Sequence, residues 1–249
     1  MSKQSGLGDH LFIAGVDLSG DIGALGAIGG GPAALDVTPI NKSGMARIGG
    51  LRDGRFEYSA FWNPGPEADA AHTHLSVLPR TDVQMVYGRG LGLGSPAAAI
   101  VAKQTNYDGT RGNDGAVTFS VSAPATGYGI EWGEQATPGI REDTAAGNGD
   151  SLDGGAATEF GLQAYLQVLA FTGTSVTVKL QESSDDGATD TWADIVGGGF
   201  TAATAPGVQR IATAGDLDVE QYLRVVTTGT FTVANFLVVV VRNPVETVF

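Results

Sequence analysis

Cysteine is absent from this chain, which excludes disulfide scaffolds, thiolate zinc sites, cysteine nucleophiles and iron–sulfur centres together. The redox compartment stays open, because a thiol-free chain suits any of them. Charge is scarce as well: charged residues make up 16% of the chain, against about a quarter in ordinary globular domains. The chain is nonetheless too apolar for a disordered one, at 42% hydrophobic residues and a mean hydropathy of +0.05. No apolar run reaches the roughly 18 residues of a membrane span, so no membrane partner is expected. Met1 to Asp9 lacks the basic-then-apolar layout of a signal peptide, which predicts a product made and used without Sec-type export.

What the chain has is glycine, 38 of 249 residues, about twice ordinary usage. It lacks the three-residue period of collagen. The length suits one large domain or two modest ones. The net charge is −13 and is unevenly spread: residues 1–125 carry −2 and residues 126–249 carry −11. Such a surface repels phosphate, which disfavours a nucleic-acid grip. It suits solubility, or a wall along which DNA slides without sticking.

Three regions follow from the patterning. Residues 1–50 show little periodicity apart from short strands at 11–16 and 34–40, and their glycine density predicts an arm that orders on another subunit. In residues 51–132, Phe56, Tyr58 and Ala60 alternate with Glu57 and Ser59, and Val117, Phe119 and Val121 alternate with Thr118, Ser120 and Ser122. Each run predicts a strand with one greasy and one wet face. Asn63-Pro64-Gly65-Pro66 opens a helix expected over 66–78, with an apolar stripe of Ala68, Ala71, Leu75 and Leu78. Further strands are expected at 82–87 and 98–103. Residues 133–158 have linker composition. Residues 159–249 hold strands at 160–171, 175–182, 191–196, 208–213, 221–227 and 230–242, the spacing of a β-sandwich. The expected fold is therefore mainly β with one short helix.

Candidate chemistry is thin. His72 and His74, two apart on the expected helix, point about 200° apart and do not share a metal. Gly88 to Ser95 lacks the order and the following Lys-Ser/Thr of a phosphate loop. Asp185, Asp186 and Asp190 flank Gly187 without calcium-loop spacing. No nucleophile elbow occurs. These residues predict neither an enzyme nor a cofactor.

The segment Arg52 to Trp132 carries a resemblance. Asp53-Gly54-Arg55-Phe56-Glu57-Tyr58-Ser59-Ala60-Phe61 leads to Asn63-Pro64 and a short Ala/His-rich helix ending at Leu78-Pro79. Gly94-Ser95-Pro96-Ala97-Ala98-Ala99-Ile100-Val101-Ala102-Lys103 and Asp114 to Ser122 follow. This pattern resembles the major tail protein, or tail tube protein, of long-tailed bacteriophages with non-contractile tails. Gly49-Gly50-Leu51-Arg52-Asp53-Gly54 and Gln104 to Gly112 look like versions from actinobacterial phages. Leu180 to Gly187 and Gln221 to Val225 are similar to β-sandwich modules appended to phage structural proteins.

The resemblance implies a tail-tube-type β-barrel/sandwich domain (51–132) behind the arm (1–50), then the linker (133–158) and an Ig-like or jelly-roll-like sandwich (159–249) displayed outside. It implies homo-hexameric rings that stack into a tube conducting DNA, assembled in the host cytoplasm and resident in the virion. Partners would be tape measure, terminator and distal tail proteins, passing double-stranded DNA, and a host-surface glycan at the C-terminal region. Phe56, Tyr58, Val117, Phe119 and Val121 would lie on inter-subunit strands, and Glu57 or Asp114 would line the lumen. Leu11, Phe12, Ile22, Leu25, Tyr107 and Arg111 would belong to inter-ring ties. Two other readings stand beside this one: a capsid decoration or head-completion protein, and a carbohydrate-binding module or glycan-active enzyme.

Overall fold

The computed structural model describes residues 5–67 and 69–246. The first strands are β1 (Asp9–Ile13), β2 (Val16–Asp17), β3 (Ile22–Gly30), β4 (Ala34–Asp36), β5 (Arg47–Gly49) and β6 (Gly54–Phe61). A five-residue helix, α1 (Ala71–Leu75), precedes β7 (Val83–Arg89), β8 (Pro96–Ala102) and β9 (Asp108–Arg111). The chain continues with β10 (Val117–Gln135), β11 (Arg141–Asp143), β12 (Gly147–Asp153) and β13 (Leu162–Ser183). It closes with β14 (Ala193–Gly199), β15 (Gly207–Ala212) and β16 (Tyr222–Arg242). The fold is mainly β, with antiparallel pairing and one short helix, as the patterning predicts. No sheet closes into a barrel among the described residues.

Two compact units form, each from separate stretches of chain. The first comprises Met1–Ser19, Gln84–Ala99 and Trp132–Phe249, and the second comprises Gly20–Val83 and Ile100–Glu131. In the first unit, β13 and β16 pair along their whole lengths, from Leu162 opposite Arg242 to Ser183 opposite Tyr222. Their inward side chains, including Leu166, Val178, Leu180, Val225, Phe236 and Val238, build its core. Patterning breaks each of these strands into two, at Gly173 and at Gly229. Both strands continue through these positions: the register shifts on either side of Gly173, whereas Gly229 pairs in step with Val176. A Cβ on Gly229 would stand 2.3 Å from the Ser175 carbonyl oxygen, and one on Gly173 would stand 2.4 Å from Phe231 Cα. Glycine lets the two backbones approach at both places without ending the ladder.

Two further expectations change in this unit. Residues 133–158, linker-like in composition, contain β11 and β12, and both pair with β16. Most of β12 alternates between half-exposed and exposed positions, so little of it has to be apolar. Leu11 and Phe12, expected on an arm that orders on another subunit, are each 1% exposed within this chain. They sit on β1, which pairs with β7 through Leu11 opposite Tyr87 and Phe12 opposite Val86. A buried amide pins the turn that follows. Gln167 accepts from the Gly15 N–H at 2.6 Å and donates to the Gln84 carbonyl at 3.2 Å, while Gln84 donates to the Leu166 carbonyl at 3.1 Å.

In the second unit a four-stranded sheet runs in the order β3-β6-β10-β9. The helix is shorter than the expected 66–78. Asn63 does not cap it, because its side-chain amide donates to the Asp21 carboxylate at 2.9 Å. The same carboxylate accepts the Ala71 N–H at 2.8 Å, so the helix start is fixed from 50 residues away in sequence. Ala71 and Leu75 of the expected stripe are buried, Leu78 is exposed, and Ala68 lies outside the described residues.

Candidate assembly interface

The second unit's sheet takes its two faces from period-two alternation. Register places Phe119 opposite Ala60, Val121 opposite Tyr58 and Ala123 opposite Phe56, which makes one apolar face. Ile22, Leu25 and Ile28 of β3 join it opposite Ala60, Tyr58 and Phe56. Val117, at the start of β10, is half-buried opposite Arg111 of β9. The other face carries Glu57 opposite Ser122 and Ser59 opposite Ser120. A shallow groove of about 290 Å³ runs there, lined by Ala24, Gly26, Glu57, Ser59, Ser120 and Ser122 among others. Glu57 pairs with Arg55 at 3.1 Å in the open, a contact of about 0–1 kcal/mol. Asp114 is elsewhere, in the β9–β10 turn, where it accepts the Ala116 N–H at 3.0 Å. The two expected lumen carboxylates therefore do different local work.

Both edges of this sheet, β3 and β9, lack a further strand among the described residues. Unpaired edges are templates for another chain. Arg111 is exposed on β9. Beside that edge Tyr107 stacks on Phe119 at 4.1 Å, and Trp62 stacks on Phe119 at 5.5 Å. His72 sits 4.2 Å from the Trp62 ring, with Nδ1 3.2 Å from the Tyr107 hydroxyl. Phe61 and Trp62 stay about half exposed, at 50% and 44%. Behind this cluster the Tyr58 hydroxyl is buried without a hydrogen-bond partner. Burial, and secondarily Tyr107, holds the Tyr58 phenol well above its ordinary value.

The strongest feature is the hairpin of β4 and β5, in which Leu35 stands opposite Ile48 and Asp36 opposite Arg47. It zips itself shut. Val37 N–H donates to the Ala46 carbonyl at 3.0 Å, and Ala46 N–H donates to the Thr38 hydroxyl at 2.8 Å. Every residue of both strands is exposed. Leu35, Val37, Ile40, Met45, Ile48 and Leu51 all present apolar side chains to solvent, Ile40 completely. An isolated two-stranded hairpin is marginal in water, and a contiguous exposed apolar surface marks an interaction site. Sequence reasoning placed an arm in residues 1–50 but assigned Leu11 and Phe12 to it; the signal it passed over was Leu35, Val37, Ile40, Met45 and Ile48 in a turn-rich stretch.

Other polar residues are committed to their own surroundings. Asp185 closes its loop by accepting the Ala188 and Thr189 N–H groups at 3.0 and 2.8 Å and the Thr189 hydroxyl. These bonds, led by the Thr189 hydroxyl, hold its carboxyl below the usual range. Arg141 forms a bidentate pair with Asp143 at 2.8 Å on both arms, and donates to the Val225 carbonyl. No group of His, Asp or Glu among the described residues is arranged to hold a metal ion. No helix among the described residues is long and apolar enough to cross a membrane.

Comparison with known proteins gives no matching family model and no matching curated protein. Two solved structures align along most of the chain. The Dit protein of phage SPP1, described as a paradigm of the hub adsorption apparatus in phages infecting Gram-positive bacteria, is 13% identical with a TM-score of 0.38. That alignment covers 94% of this chain and 98% of Dit. A chain of the phage p2 baseplate in its activated conformation is 9% identical with a TM-score of 0.36, covering 95% of this chain and 99% of that one. Likeness at this level transfers no role.

Proposed function

We propose that this protein is a structural subunit of a long-tailed phage tail, which assembles with copies of itself into rings that stack as a tail tube. One observation carries the reading: a self-zipped hairpin of solvent-exposed apolar side chains belongs to the same unit as a four-stranded sheet with two open edges. Burying those side chains is worth about 1.5–3 kcal/mol for each large one. A copy's β9 pairing with the next copy's β3 would satisfy both edges by closure around a ring. The resemblance of residues 52–132 to tail tube proteins supplies the hexameric count. In the ring, the face of Glu57, Ser59, Ser120 and Ser122 would line the lumen, offering small polar groups and carboxylates to passing DNA without gripping its phosphates. Tape measure, terminator and distal tail proteins would meet the tube inside and at its ends.

Negative-stain electron microscopy of the concentrated chain, with sedimentation velocity alongside, tests this. Hollow tubes are the expected result. Single rings that never stack would move the protein to a tail-end or decoration role. A monomer at all concentrations would overturn self-assembly.

A further inference from the structure

The ladder of β13 and β16 doubles back on itself, so the two ends of β16 meet. Arg242, the last residue of β16, donates from Nη2 to the carbonyl of Gln221, just before the first, at 2.7 Å. Its Nη1 donates to the Ala156 carbonyl at 3.4 Å. Gly154 lies against the guanidinium, where a Cβ would stand 2.7 Å from Cζ, and its N–H donates to the same Gln221 carbonyl at 3.0 Å. One side chain thus holds the segment after β12 to both ends of β16.

Acids surround this clasp from each strand that reaches it. Glu134 of β10, Asp153 of β12 and Glu182 of β13 act on Arg242 through their charge, and Glu220 and Asp190 act on Glu182. Asp153 is exposed and accepts the Gly155 N–H and the Gln221 amide, both at 2.8 Å. Glu134 and Glu182 are half-buried, and Glu182 accepts the Glu220 N–H at 3.0 Å. The Arg242 Nε is buried without a hydrogen-bond partner. Closing the clasp at neutral pH therefore draws two charged glutamates out of water beside further carboxylates, with a single guanidinium to offset them.

We propose that the Arg242 clasp is a pH-sensitive latch of the first unit, closed more tightly in acid and loosened towards neutral pH by Glu134 and Glu182. Burial, ahead of every other cause, raises both glutamates above their ordinary value. Opening returns them to water, where they titrate near about 4.3. The advantage of the closed state is therefore complete below that value and is lost as pH rises through the higher values of the closed state. Arg242 keeps its charge across this range. Asp153 works the other way, held below the ordinary carboxyl value by Gln221 and then Gly155, but its contribution is lost only below about 3.9, outside the window. The latch does not depend on self-assembly.

Hydrogen exchange in the full chain tests it, read at the Gly154 N–H and at the Thr158 N–H, which donates to the Val219 carbonyl at 2.9 Å. Rates are corrected for the intrinsic pH dependence of exchange. Between neutral pH and about pH 4.5, wild-type protection should rise, by up to about tenfold for each pH unit by which closure raises a glutamate. Glu134→Gln/Glu182→Gln keeps the shapes without the charges; it should show the acid level of protection already at neutral pH and change little on acidification. Arg242→Gln should lower protection at neutral pH and steepen its recovery in acid. Wild-type protection that stays flat or falls in acid overturns the latch, and this arm needs no variant to fold. A double variant that follows the wild-type profile overturns it by assigning the pH dependence to other groups. Unchanged protection in Arg242→Gln overturns the clasp itself.

Discussion

Replacing Ile40 by Ser separates assembly from folding. Ile40 is fully exposed in the single chain, at 108% of its reference accessibility, so it contributes no burial to its own fold. If the hairpin is covered in the assembly, the full transfer term of the side chain, about 1.5–3 kcal/mol, resides in the contact between copies. At 1.4 kcal/mol per tenfold, truncation to Ser should weaken each contact by about 10–100-fold. The critical concentration for assembly, read by sedimentation across a dilution series, should rise by that factor. The thermal midpoint of the unassembled chain should stay within experimental error. Phe56→Ala is the internal contrast: Phe56 is 0% exposed, and its loss should cost about 3–5 kcal/mol of stability. An unchanged critical concentration for Ile40→Ser, with an unchanged melt, would refute the assignment of the hairpin to an interface. A lowered melt would show that Ile40 already packs within the chain.

Three other outcomes follow from buried or engaged polar groups. Tyr58→Phe removes a buried hydroxyl without a partner and should stabilise the chain by up to about 1 kcal/mol in urea unfolding. Because the folded phenol is raised, its proton-linked stabilisation is complete below the ordinary value near 10 and is lost as pH rises above it, so the wild-type chain should weaken more than the variant in alkali. Gln167→Ala strands the Gly15 N–H, while the Gln84 carbonyl keeps the Ala14 N–H; it should cost about 1–3 kcal/mol for the one buried donor and speed hydrogen exchange at 9–17 first. Asp185, held below the usual carboxyl range by Thr189, stabilises its loop above the ordinary carboxylate value near 3.9 and loses that effect as pH falls. Trp192, which packs against Gly187 and Arg224, should report acid opening of the loop by fluorescence, and Asp185→Ala should show the opened signal at neutral pH.

The period-two runs at Phe56–Ala60 and Val117–Val121 were legible because burial on one face writes itself into alternating residues. The mainly β class followed from the same signal. Long-range causes were not legible. The helix start depends on Asp21, 50 residues from Ala71, so local capping at Asn63 misplaces it. Gly173 and Gly229 look like turns because their need, close approach of a partner strand, is visible only once β13 and β16 are paired. Leu11 and Phe12 lie in glycine-rich surroundings that suggest an arm, and their burial comes from β7, far along the chain. At the candidate interface the residue types were on display in Leu35 to Ile48, but their exposure was not, since an apolar residue in a sequence is ordinarily assumed to be inside.

The Gly15–Gln167 bond joins groups 152 residues apart, and its consequence is one of timing. A ribosome adding about 5–20 residues per second needs on the order of 10–30 s to make the intervening chain. Throughout that interval the turn after β1 waits for its acceptor. β1 itself can pair once β7 is made, but the turn behind it is among the last pieces to be pinned, and any truncation before Gln167 leaves that turn without its acceptor. The hairpin of β4 and β5 has its pairing partners close together in sequence, so it waits for no distant part of its own chain, only for a surface to cover it.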